Sequence, residues 1–472
     1  GETAAQRRLR RKSLWMVFLT SFLLSVGFSL VLSTLWPFLQ SMHGSQSFFG
    51  WVVAGYSLGQ FVASPLFGWL STKLRTRTLL VVALSIGIVS NVAYSFSDSL
   101  PSGQTYFMLA TRIVVGISAG GVVNCRSYAS DASTLQERGW AMAMVSASQG
   151  LGFVIGPVIG VAFSGLDPGI SSGPVKLNFL TAPGFACALF YLITIIILLT
   201  SFEECKPPPM VSSSGVSIQS AGTDEERLAR NRKLVDLPAL GAVLANYFVI
   251  FTMFSVFETV LTPLSMDQYG WSRQEADQYV GLMWTVGGAV GVFLYYFAKN
   301  ISEKLTERRA VLFGMIANLA CFFLLVPLGP GHPKCSHQSW CNHQLGLALP
   351  QMLSSSLLLD FAYPVALTSS IILYSKMLGP IPQGVAMGVL TSVGSAARMI
   401  GPVSIMYLYE SLGPEVAFPI VCGLIGASIL MLLLVYRRLL PHVAFRTPPA
   451  SNTLLYSGKD SAKTPAVREP QS

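Results

Sequence analysis

Hydrophobic stretches and short polar links alternate along this chain, and twelve of the stretches are long enough to cross a membrane. A transmembrane α-helix needs about 20 consecutive apolar residues, and each stretch supplies roughly that number. The stretches extend over Leu14–Leu39, Phe49–Leu70, Thr78–Phe96, Tyr106–Tyr128, Trp140–Phe163, Ala182–Thr200, Leu240–Leu264, Tyr279–Ala298, Ala310–Leu328, Leu345–Leu373, Gly384–Tyr407 and Val416–Tyr436. The pattern predicts an all-α membrane protein with twelve transmembrane helices.

The longest polar segment, 201–236, divides the predicted helices into two sets of six. It contains three consecutive prolines, a part rich in serine and glycine, and a charged run, which is the composition of a linker. We therefore predict an N-terminal six-helix bundle over 14–200 and a C-terminal bundle over 237–436. Residues 1–13 form a basic N-terminus, and residues 437–472 form a polar tail that we expect to be disordered.

One segment of the chain occurs twice, once in each predicted bundle. The fifth and eleventh stretches are both rich in small residues, and both carry a late Gly-Pro pair. Gly156-Pro157 and Gly401-Pro402 are separated by 245 positions, about half of the 472-residue chain. Small residues let membrane helices approach closely, and we interpret them here as packing positions on a surface that slides during transport. The positions are Gly150, Gly156, Pro157, Gly160, Gly401 and Pro402.

A second, weaker match runs in the same order along the chain. Phe28-Ser29 in the first stretch matches Phe254-Ser255 in the seventh, at a separation of 226 positions. Two matches in one order are much less expected by chance than one. Duplication over half of a membrane chain indicates two related helical bundles with a pathway between them.

The composition excludes a soluble globular protein and gives no sign of an enzyme. Hydrophobic residues make up 52% of the chain and charged residues 11%, against roughly 25% charged residues in soluble domains. The chain has no Walker loop, no HExxH motif and no haem-attachment motif, and its seven cysteines lack the spacing of a zinc site. We expect no enzyme activity, no metal and no cofactor.

The net charge of +9 is placed where a membrane protein needs it. Lysine and arginine cluster at both termini, in the polar linker and in alternate links between the predicted helices. Cytosolic links of membrane proteins carry this excess, so we predict that both termini are cytosolic. The basic runs then lie against the lipid bilayer, and we expect no nucleic-acid partner and a monomeric protein.

Several motifs resemble those of the major facilitator superfamily. Residues 68–70 and the basic residues after them resemble the loop motif between spans two and three, although Thr72 stands where the family usually has aspartate. Arg112 with Gly116 resembles the span-four arginine motif. Residues 150–160 resemble the Gly-Pro motif of span five. The resemblance implies the major facilitator fold, in which two pseudo-symmetric six-helix bundles share a central cavity.

A closer resemblance covers most of the chain and rests on longer segments. These segments include FFGWVVAGYSLGQFVASPLFG, RSYASDASTLQER and LYSKMLGPIPQGVAMG. Together they look like the lysosomal branch of the superfamily that is linked to neuronal ceroid lipofuscinosis. This resemblance implies a multi-pass protein of the endolysosomal membrane with chloride-permeable channel activity.

Ionisable residues inside the predicted helices are candidates for a substrate or ion pathway, because a charge at mid-bilayer costs about 2.5–3.5 kcal/mol. Glu258 in the seventh stretch would carry a proton or cation or form a gate; the alternative is a structural partner for an arginine. Arg398 in the eleventh stretch, surrounded by small residues, would bind an anion or pair with Glu258. Arg126 would contact an anion, unless it extends to the cytosolic headgroups.

Three further residues extend this set of candidates. Arg112 is expected either to bind backbone carbonyl groups or to contribute directly to the pathway. Asp360 is a candidate pathway residue three positions before Tyr363. We expect Tyr363-Pro364 to break the tenth helix, so that freed carbonyl groups line the cavity.

Cys335 and Cys341 lie six positions apart in a polar loop over 329–344, which we place on the luminal or extracellular side. That side is oxidising, so we predict a disulfide between these two cysteines. Two free thiols are the alternative.

Three functions remain open on the sequence. The first is movement of a small anion, chloride by the resemblance, across the endolysosomal membrane, with Arg398 and Arg126 supplying positive potential and Glu258 a gate or coupling site. The second is a proton-coupled carrier of a small organic solute, with Glu258 as the proton site. The third is a non-transporting scaffold or sensor that uses the linker; the costly charges inside the membrane argue against it.

Overall fold

The computed structural model describes most of the chain, including nearly all of the predicted hydrophobic stretches apart from the eighth. The described residues are 3–134, 137–163, 170–172, 175–205, 235–272, 275–276, 278–288, 306–329, 332–334, 340–341, 343–379 and 382–440. Most of the predicted linker and nearly all of the predicted tail, at 206–234 and 441–472, lie outside these residues.

Long α-helices account for most of the described chain. In chain order they are α1 (Ala4–Ser41), α2 (Gln46–Leu70), α3 (Thr76–Ser95), α4 (Gln104–Ala119), α5 (Val122–Asp131), α6 (Arg138–Ala162), α7 (Ala182–Ser201), α8 (Leu237–Tyr269), α9 (Glu307–Leu324), α10 (Leu349–Leu378), α11 (Gly384–Leu412) and α12 (Pro414–Leu434). Residues 278–288 are helical as well. A 3₁₀ turn follows α3 at Ser97–Ser99.

Nine helical units among the described residues are long and apolar enough to cross a membrane, with α4 and α5 counted as one unit. The chain is therefore a multi-pass membrane protein. Helix α2 and the charged helix α9 are not among these nine. The eighth predicted stretch lies partly outside the described residues. The count of twelve spans and the cytosolic termini stay predictions.

Helix α1 begins within the segment that the sequence assigns to a basic N-terminus. Thr3 caps it: the Thr3 side chain accepts from the Gln6 backbone N–H, and the Gln6 side chain accepts from the Thr3 backbone N–H. This reciprocal pair is a capping box, which satisfies two N–H groups at the helix start. The cap starts the helix at Ala4, ahead of the first apolar residues of the stretch.

The fourth predicted helix is interrupted at two adjacent glycines. Gly120 and Gly121 separate α4 from α5, and the backbone there forms the shorter bonds of a 3₁₀ turn, such as Val123 N–H to the Gly120 carbonyl at 3.1 Å. A Cβ at Gly121 would lie 2.6 Å from the Ala83 side chain. The glycines therefore allow α3 to pack closely against the junction that leads to Arg126.

The expected break of the tenth helix at Tyr363-Pro364 is wrong. Helix α10 continues through Pro364 from Leu349 to Leu378. A proline in a helix removes the bond to the carbonyl group four residues earlier, here that of Asp360. Membrane helices tolerate this loss where neighbouring helices pack around it, and Pro364 is buried.

A small β-hairpin lies between α6 and α7, although the sequence predicts helices only. Strands β1 (Ile170–Ser172) and β2 (Val175–Leu177) pair antiparallel, with Ile170 opposite Leu177. The hairpin occupies the link between α6 and α7. The fold therefore remains a helical bundle in its membrane part.

The internal repeat seen in the sequence is also a repeat of helix packing. Gly156 of α6 packs against Ser29 of α1, so closely that a Cβ would overlap the Ser29 hydroxyl group. Gly401 of α11 packs in the same way against Ser255 of α8. Gly156 and Gly401 are matching residues of the repeat, and so are Ser29 and Ser255. The packing of α1 against α6 is therefore equivalent to the packing of α8 against α11. The fold is two pseudo-symmetric bundles, one from each half.

The two bundles meet at the end of the molecule that carries Arg10, Arg138 and Lys376, here called the basic end. Ser130 Oγ of α5 lies 3.1 Å from Ser375 Oγ of α10. The Arg138 guanidinium donates to the carbonyl oxygen of Gly379 at 3.3 Å. These contacts join an N-terminal helix to a C-terminal one at each point, and they close the basic end.

Helices α2 and α11 form the closest contact between the bundles. A Cβ at Gly68 would overlap the carbonyl oxygen of Gly384, and a Cβ at Gly388 would lie 2.7 Å from the carbonyl oxygen of Ser64. Further along α11, Ser392 Oγ donates to the Phe61 carbonyl oxygen at 2.9 Å. Small residues on both helices make this backbone approach possible.

Candidate functional site

A cavity of about 610 Å³ lies between the two bundles. Its wall combines residues from helices of both halves, including α1, α2, α5 and α6 of the first and α8, α10 and α11 of the second. Many of the lining side chains are aromatic or aliphatic. Four of the described lining residues carry ionisable acid or guanidinium groups, namely Arg126, Glu258, Asp360 and Arg398.

Arg126 of α5 is held in the cavity wall by both bundles. Its guanidinium donates to Gln149 Oε1 of α6 at 2.9 Å, to the Tyr247 hydroxyl of α8 at 3.2 Å and to Thr391 Oγ1 of α11 at 3.1 Å. The three acceptors are uncharged, and the side chain is 5% exposed. The positive charge is therefore oriented by neutral hydrogen bonds.

Arg398 of α11 reaches across the interface to two aromatic rings of the N-terminal bundle. Its guanidinium carbon lies 5.0 Å from the ring centroid of Phe28 and 5.6 Å from that of Phe153. These distances are typical of cation–π contacts. No described carboxylate lies within ion-pair distance of Arg398, so its charge also remains without an acidic partner.

Glu258 of α8 and Asp360 of α10 bring two carboxyl groups to the same cavity. Neither group makes a hydrogen bond or ion pair with any residue that the structure describes. Asp360 packs against Gly287 in the helical residues 278–288, where a Cβ would overlap the carboxylate. Glu258 lies close enough to Arg398 to interact with its charge, but the two side chains form no ion pair.

Arg112 lies outside the cavity, in the interior of the N-terminal bundle. It is 1% exposed, and its guanidinium carbon lies 5.3 Å from the ring centroid of Tyr56, which does line the cavity. None of its three guanidinium nitrogens has a hydrogen-bond acceptor among the described residues. The expected hydrogen bonds to backbone carbonyl groups are therefore not formed in this part of the chain.

The duplicated glycines and prolines divide between the cavity and the helix contacts. Gly150 and Pro157 of α6 line the cavity. Gly156 and Gly401 form the two equivalent helix contacts described above. Gly160 is buried in α6, and Pro402 lies inside α11.

Several cavity residues were not anticipated from the sequence. Gln149 is a polar residue in an apolar stretch and could have been recognised on that ground. Tyr247 and Thr391 hold Arg126, and Phe28 and Phe153 hold Arg398, but nothing local distinguishes these four from packing residues. Only the arrangement of both bundles brings them to the arginines.

A charged cluster stabilises the basic end, away from the cavity. Arg10 of α1 is 1% exposed and donates to Glu137 Oε2 at 2.8 Å and to the Ala132 carbonyl oxygen at 3.1 Å. Burial raises the pKa of Glu137, but the hydrogen bond from Arg10 and the charges of Arg10 and Arg11 outweigh it and hold the pKa below its ordinary value. Glu137 is therefore ionised at neutral pH.

Cys341 takes part in a disulfide, while Cys125, Cys187, Cys321 and Cys422 are free. Cys335 lies outside the described residues, so its pairing with Cys341 stays a prediction. The described part of the chain contains no group of three histidine, cysteine or acidic residues placed to hold a metal ion.

The family model described as Major Facilitator Superfamily matches residues 17–402 of this chain. The chain belongs to this superfamily. Its proteins are transporters, so this chain is a transport protein and not an enzyme. Among curated relatives, the major facilitator superfamily domain-containing protein 8 of Xenopus laevis is 36% identical over 480 aligned residues, which cover 93% of this chain and 94% of the relative.

Two solved structures of the superfamily share the fold. The crystal structure of the human organic anion transporter MFSD10 (TETRAN) has a TM-score of 0.65 and 20% identity, covering 90% of this chain and 99% of that one. The proton:xylose symporter XylE, bound to 6-bromo-6-deoxy-D-glucose, has a TM-score of 0.69 and 15% identity, covering 92% and 97% respectively. At these identities the likeness concerns the fold alone.

Proposed function

We propose that this transporter carries small organic anions and binds them in the cavity between its two bundles. The observation that carries the proposal is the pair Arg126 and Arg398, two guanidinium groups that line one cavity and have no carboxylate within ion-pair distance among the described residues. A guanidinium stays charged at any physiological pH and suits carboxylate groups. An anion that enters the cavity would give the two guanidinium groups a partner at ion-pair distance.

The size and lining of the cavity support an organic anion over a simple ion. A volume of about 610 Å³ lies in the range of pockets for small organic molecules, which are mostly apolar with a few placed polar groups. Phe251, Phe254, Trp284 and other apolar side chains line it. The human relative MFSD10 is an organic anion transporter, which agrees with this choice of solute.

Chloride is the second candidate, because two partly desolvated arginines would also attract a small inorganic anion. The closed basic end argues for a carrier over an open channel, since Ser130 and Ser375 close the route on that side. The sequence resemblance to the lysosomal branch of the superfamily favours the endolysosomal membrane as the location. Glu258, which has no partner among the described residues, is the proposed site of proton coupling.

Transport by purified protein in liposomes tests the proposal. The full chain would be reconstituted, and uptake of labelled 4-methylbenzoate and of labelled chloride would be compared at equal concentration. We expect saturable uptake of 4-methylbenzoate that falls at least about tenfold in Arg126→Gln and in Arg398→Gln, because each loses a charge-assisted interaction worth about 1.5–3 kcal/mol.

Arg437→Gln is the matched control, since Arg437 is exposed beyond the end of α12 and should not affect uptake. Uptake of 4-methylbenzoate that is unchanged in both cavity variants would refute the role of the arginines. Uptake of chloride alone, with the same dependence on Arg126 and Arg398, would instead select the second candidate. Loss of a pH-gradient dependence in Glu258→Gln would support proton coupling.

A further inference from the structure

Both acid groups of the cavity come from the C-terminal bundle, and aromatic residues of the same helices line the cavity with them. Glu258 and Phe254 are one helical turn apart on α8, and Asp360 and Tyr363 are likewise close on α10. Trp284 comes from the helical residues 278–288. All five residues line the cavity, and they are called the acidic–aromatic pocket here.

The aromatic rings of this pocket contact one another. The rings of Phe254 and Tyr363 are stacked, with centroids 4.4 Å apart and an interplanar angle of 21°. Trp284 meets Phe254 edge to face at 5.8 Å. The contacts connect three helical segments of the C-terminal bundle into one aromatic wall, so the wall is a property of the fold and not of one helix.

Asp360 is brought to this wall by two features of the chain. Gly287 leaves room for its carboxylate, which packs where a Cβ would otherwise stand. Pro364 lies four positions later in α10 and cannot donate to the Asp360 carbonyl oxygen. The position thus brings a carboxylate, a hydrogen-bond acceptor, to the wall of the cavity.

The cavity wall carries two guanidinium groups and two carboxyl groups, and none of the four forms an ion pair with another. Arg126 is held by three neutral groups and Arg398 lies against Phe28 and Phe153 of the N-terminal bundle. Glu258 and Asp360 both belong to the C-terminal bundle. A solute with a carboxylate alone would leave these two partly buried acid groups without an ion-pair partner among the described residues, whereas a solute that also carries a cation would pair with them.

We propose that the acidic–aromatic pocket binds a protonated amine, so that the transported solute is an amphoteric molecule with an amine at one end and a carboxylate at the other. The inference rests on the proposed function, because it places the carboxylate of the solute at Arg126 and Arg398. Carboxylates supply hydrogen-bond acceptors for an ammonium group, and the faces of Trp284, Phe254 and Tyr363 supply cation–π attraction.

Three probes that share one ring separate the two ends of the solute. The first is 4-(aminomethyl)benzoate, which has both charges; 4-methylbenzoate replaces its amine by hydrogen, and 4-methylbenzylamine replaces its carboxylate by a methyl group. Binding of each probe to the purified full chain in lipid nanodiscs would be measured by calorimetry. We expect 4-(aminomethyl)benzoate to bind about tenfold more tightly than either single-charge probe.

The variant Asp360→Asn decides where the amine binds. We expect it to remove the advantage of 4-(aminomethyl)benzoate over 4-methylbenzoate, since it keeps the shape but not the charge of the side chain. Glu258→Gln is a second variant with the same expected direction. Glu410 is exposed on α11, so the control variant Glu410→Gln should change neither affinity. Melting curves verify that each variant is folded.

The possible failures of the two proposals differ. If 4-(aminomethyl)benzoate binds no more tightly than 4-methylbenzoate, while 4-methylbenzoate still requires Arg398, the amine site is refuted and the proposed function stands. If the affinity for 4-methylbenzoate does not depend on either arginine, but binding of 4-methylbenzylamine requires Asp360, the proposed function fails and the amine site stands. Stabilisation by sodium ions in place of the amines, or no binding of any probe, refutes the amine site.

Discussion

Three arginines inside the helices, two buried and one partly buried, have no acidic partner at ion-pair distance among the described residues. Arg126 satisfies part of its guanidinium with neutral groups, and Arg398 lies against aromatic rings. Arg112 has neither an acceptor nor a carboxylate among the described residues. Charges in such surroundings reduce the stability of the fold, so we interpret their presence as serving transport.

Replacement of Arg112 by methionine tests whether the buried charge at this position lowers the stability of the fold. We expect Arg112→Met to melt at the same temperature as the unmodified chain or higher, because it removes an unpaired buried charge; the gain is on the order of 1 kcal/mol. Thermal unfolding followed by fluorescence measures it. Arg112→Lys keeps a charge at the site and should show no gain. A large loss of stability in Arg112→Met would show that the guanidinium stabilises the fold, contrary to this prediction.

The Arg10–Glu137 ion pair makes the stability of the basic end depend on pH. The pKa of Glu137 is lowered in the folded protein. Its stabilising contribution is therefore complete above the unfolded-state pKa, about 4.3 for glutamate, and is lost as the pH falls through the lower folded-state value. Glu137→Gln should destabilise the protein by about 1 kcal/mol near neutral pH, a modest value because Glu137 is partly exposed to solvent.

The same melting experiment repeated across a pH series tests the sign of this effect. The difference between the unmodified chain and Glu137→Gln should shrink as the pH is lowered below about 4. Glu410→Gln removes an exposed carboxylate and should show no such convergence. A difference that persists or grows in acid would show that the hydrogen bond, and not the charge of Glu137, stabilises the basic end.

At the scale of helices, close packing at small residues determines which elements can move. Gly156 on Ser29 and Gly401 on Ser255 join helices within a bundle. Gly68 on Gly384 joins helices of different bundles. The contacts within a bundle hold its helices together, so that each bundle can move as one body. The contact between the bundles has to open if the cavity is to be accessible from the basic end.

Alanine at Gly68 tests the contact between α2 and α11. Its Cβ would overlap the Gly384 carbonyl oxygen, so the two helices would be pushed apart and the basic end would open more often. We expect labelling of Ser375→Cys from the basic side, in a Cys205→Ser background, to become about tenfold faster in Gly68→Ala, which corresponds to roughly 1.4 kcal/mol.

Gly423→Ala is the control for that substitution, because no atom lies within 4 Å of the Cβ it would add. It should leave the labelling rate unchanged. Equal rates in Gly68→Ala and Gly423→Ala would mean that α2 and α11 adapt to the extra methyl group without separating.

The sequence was informative where the signal is periodic or repeated. The length of the apolar stretches and the Gly-Pro repeat led to the two-bundle fold, because transmembrane helices have nearly fixed lengths and duplicated glycines pack alike. The prediction from the sequence failed at Pro364, because the packing of the surrounding helices, and not the proline, decides whether α10 continues. It also missed Phe28 and Phe153, since a phenylalanine that contacts an arginine of the other bundle looks locally like any packing residue.

For the molecule as a whole, the closed basic end and the cavity behind it agree with one state of the proposed carrier. A carrier moves its solute by opening the cavity to each side in turn. In this state the described hydrogen bonds between the bundles reach from Ser395 of α11, bonded to Gln60 at 3.0 Å, to Arg138 at the basic end. Transport therefore requires that these bonds break.

A cross-link at the basic end should trap this state. Ser130 and Ser375 face each other across the bundles with their hydroxyl oxygens 3.1 Å apart, so cysteines at these positions are expected to form a disulfide on oxidation. In Ser130→Cys/Ser375→Cys with Cys205→Ser, oxidation should stop uptake of 4-methylbenzoate by liposomes, and reduction should restore it. Binding of the same probe should remain within about twofold, because the cavity is already formed in the trapped state.

The single variants Ser130→Cys and Ser375→Cys control for oxidation elsewhere and should transport normally under both conditions. Full transport by the cross-linked protein would mean that the solute never passes the basic end, as in a pathway that leaves the cavity between the helices. Loss of binding together with transport would mean that the solute enters from the basic end. Only loss of transport with retained binding agrees with a cavity that fills from the opposite side and empties when the bundles separate.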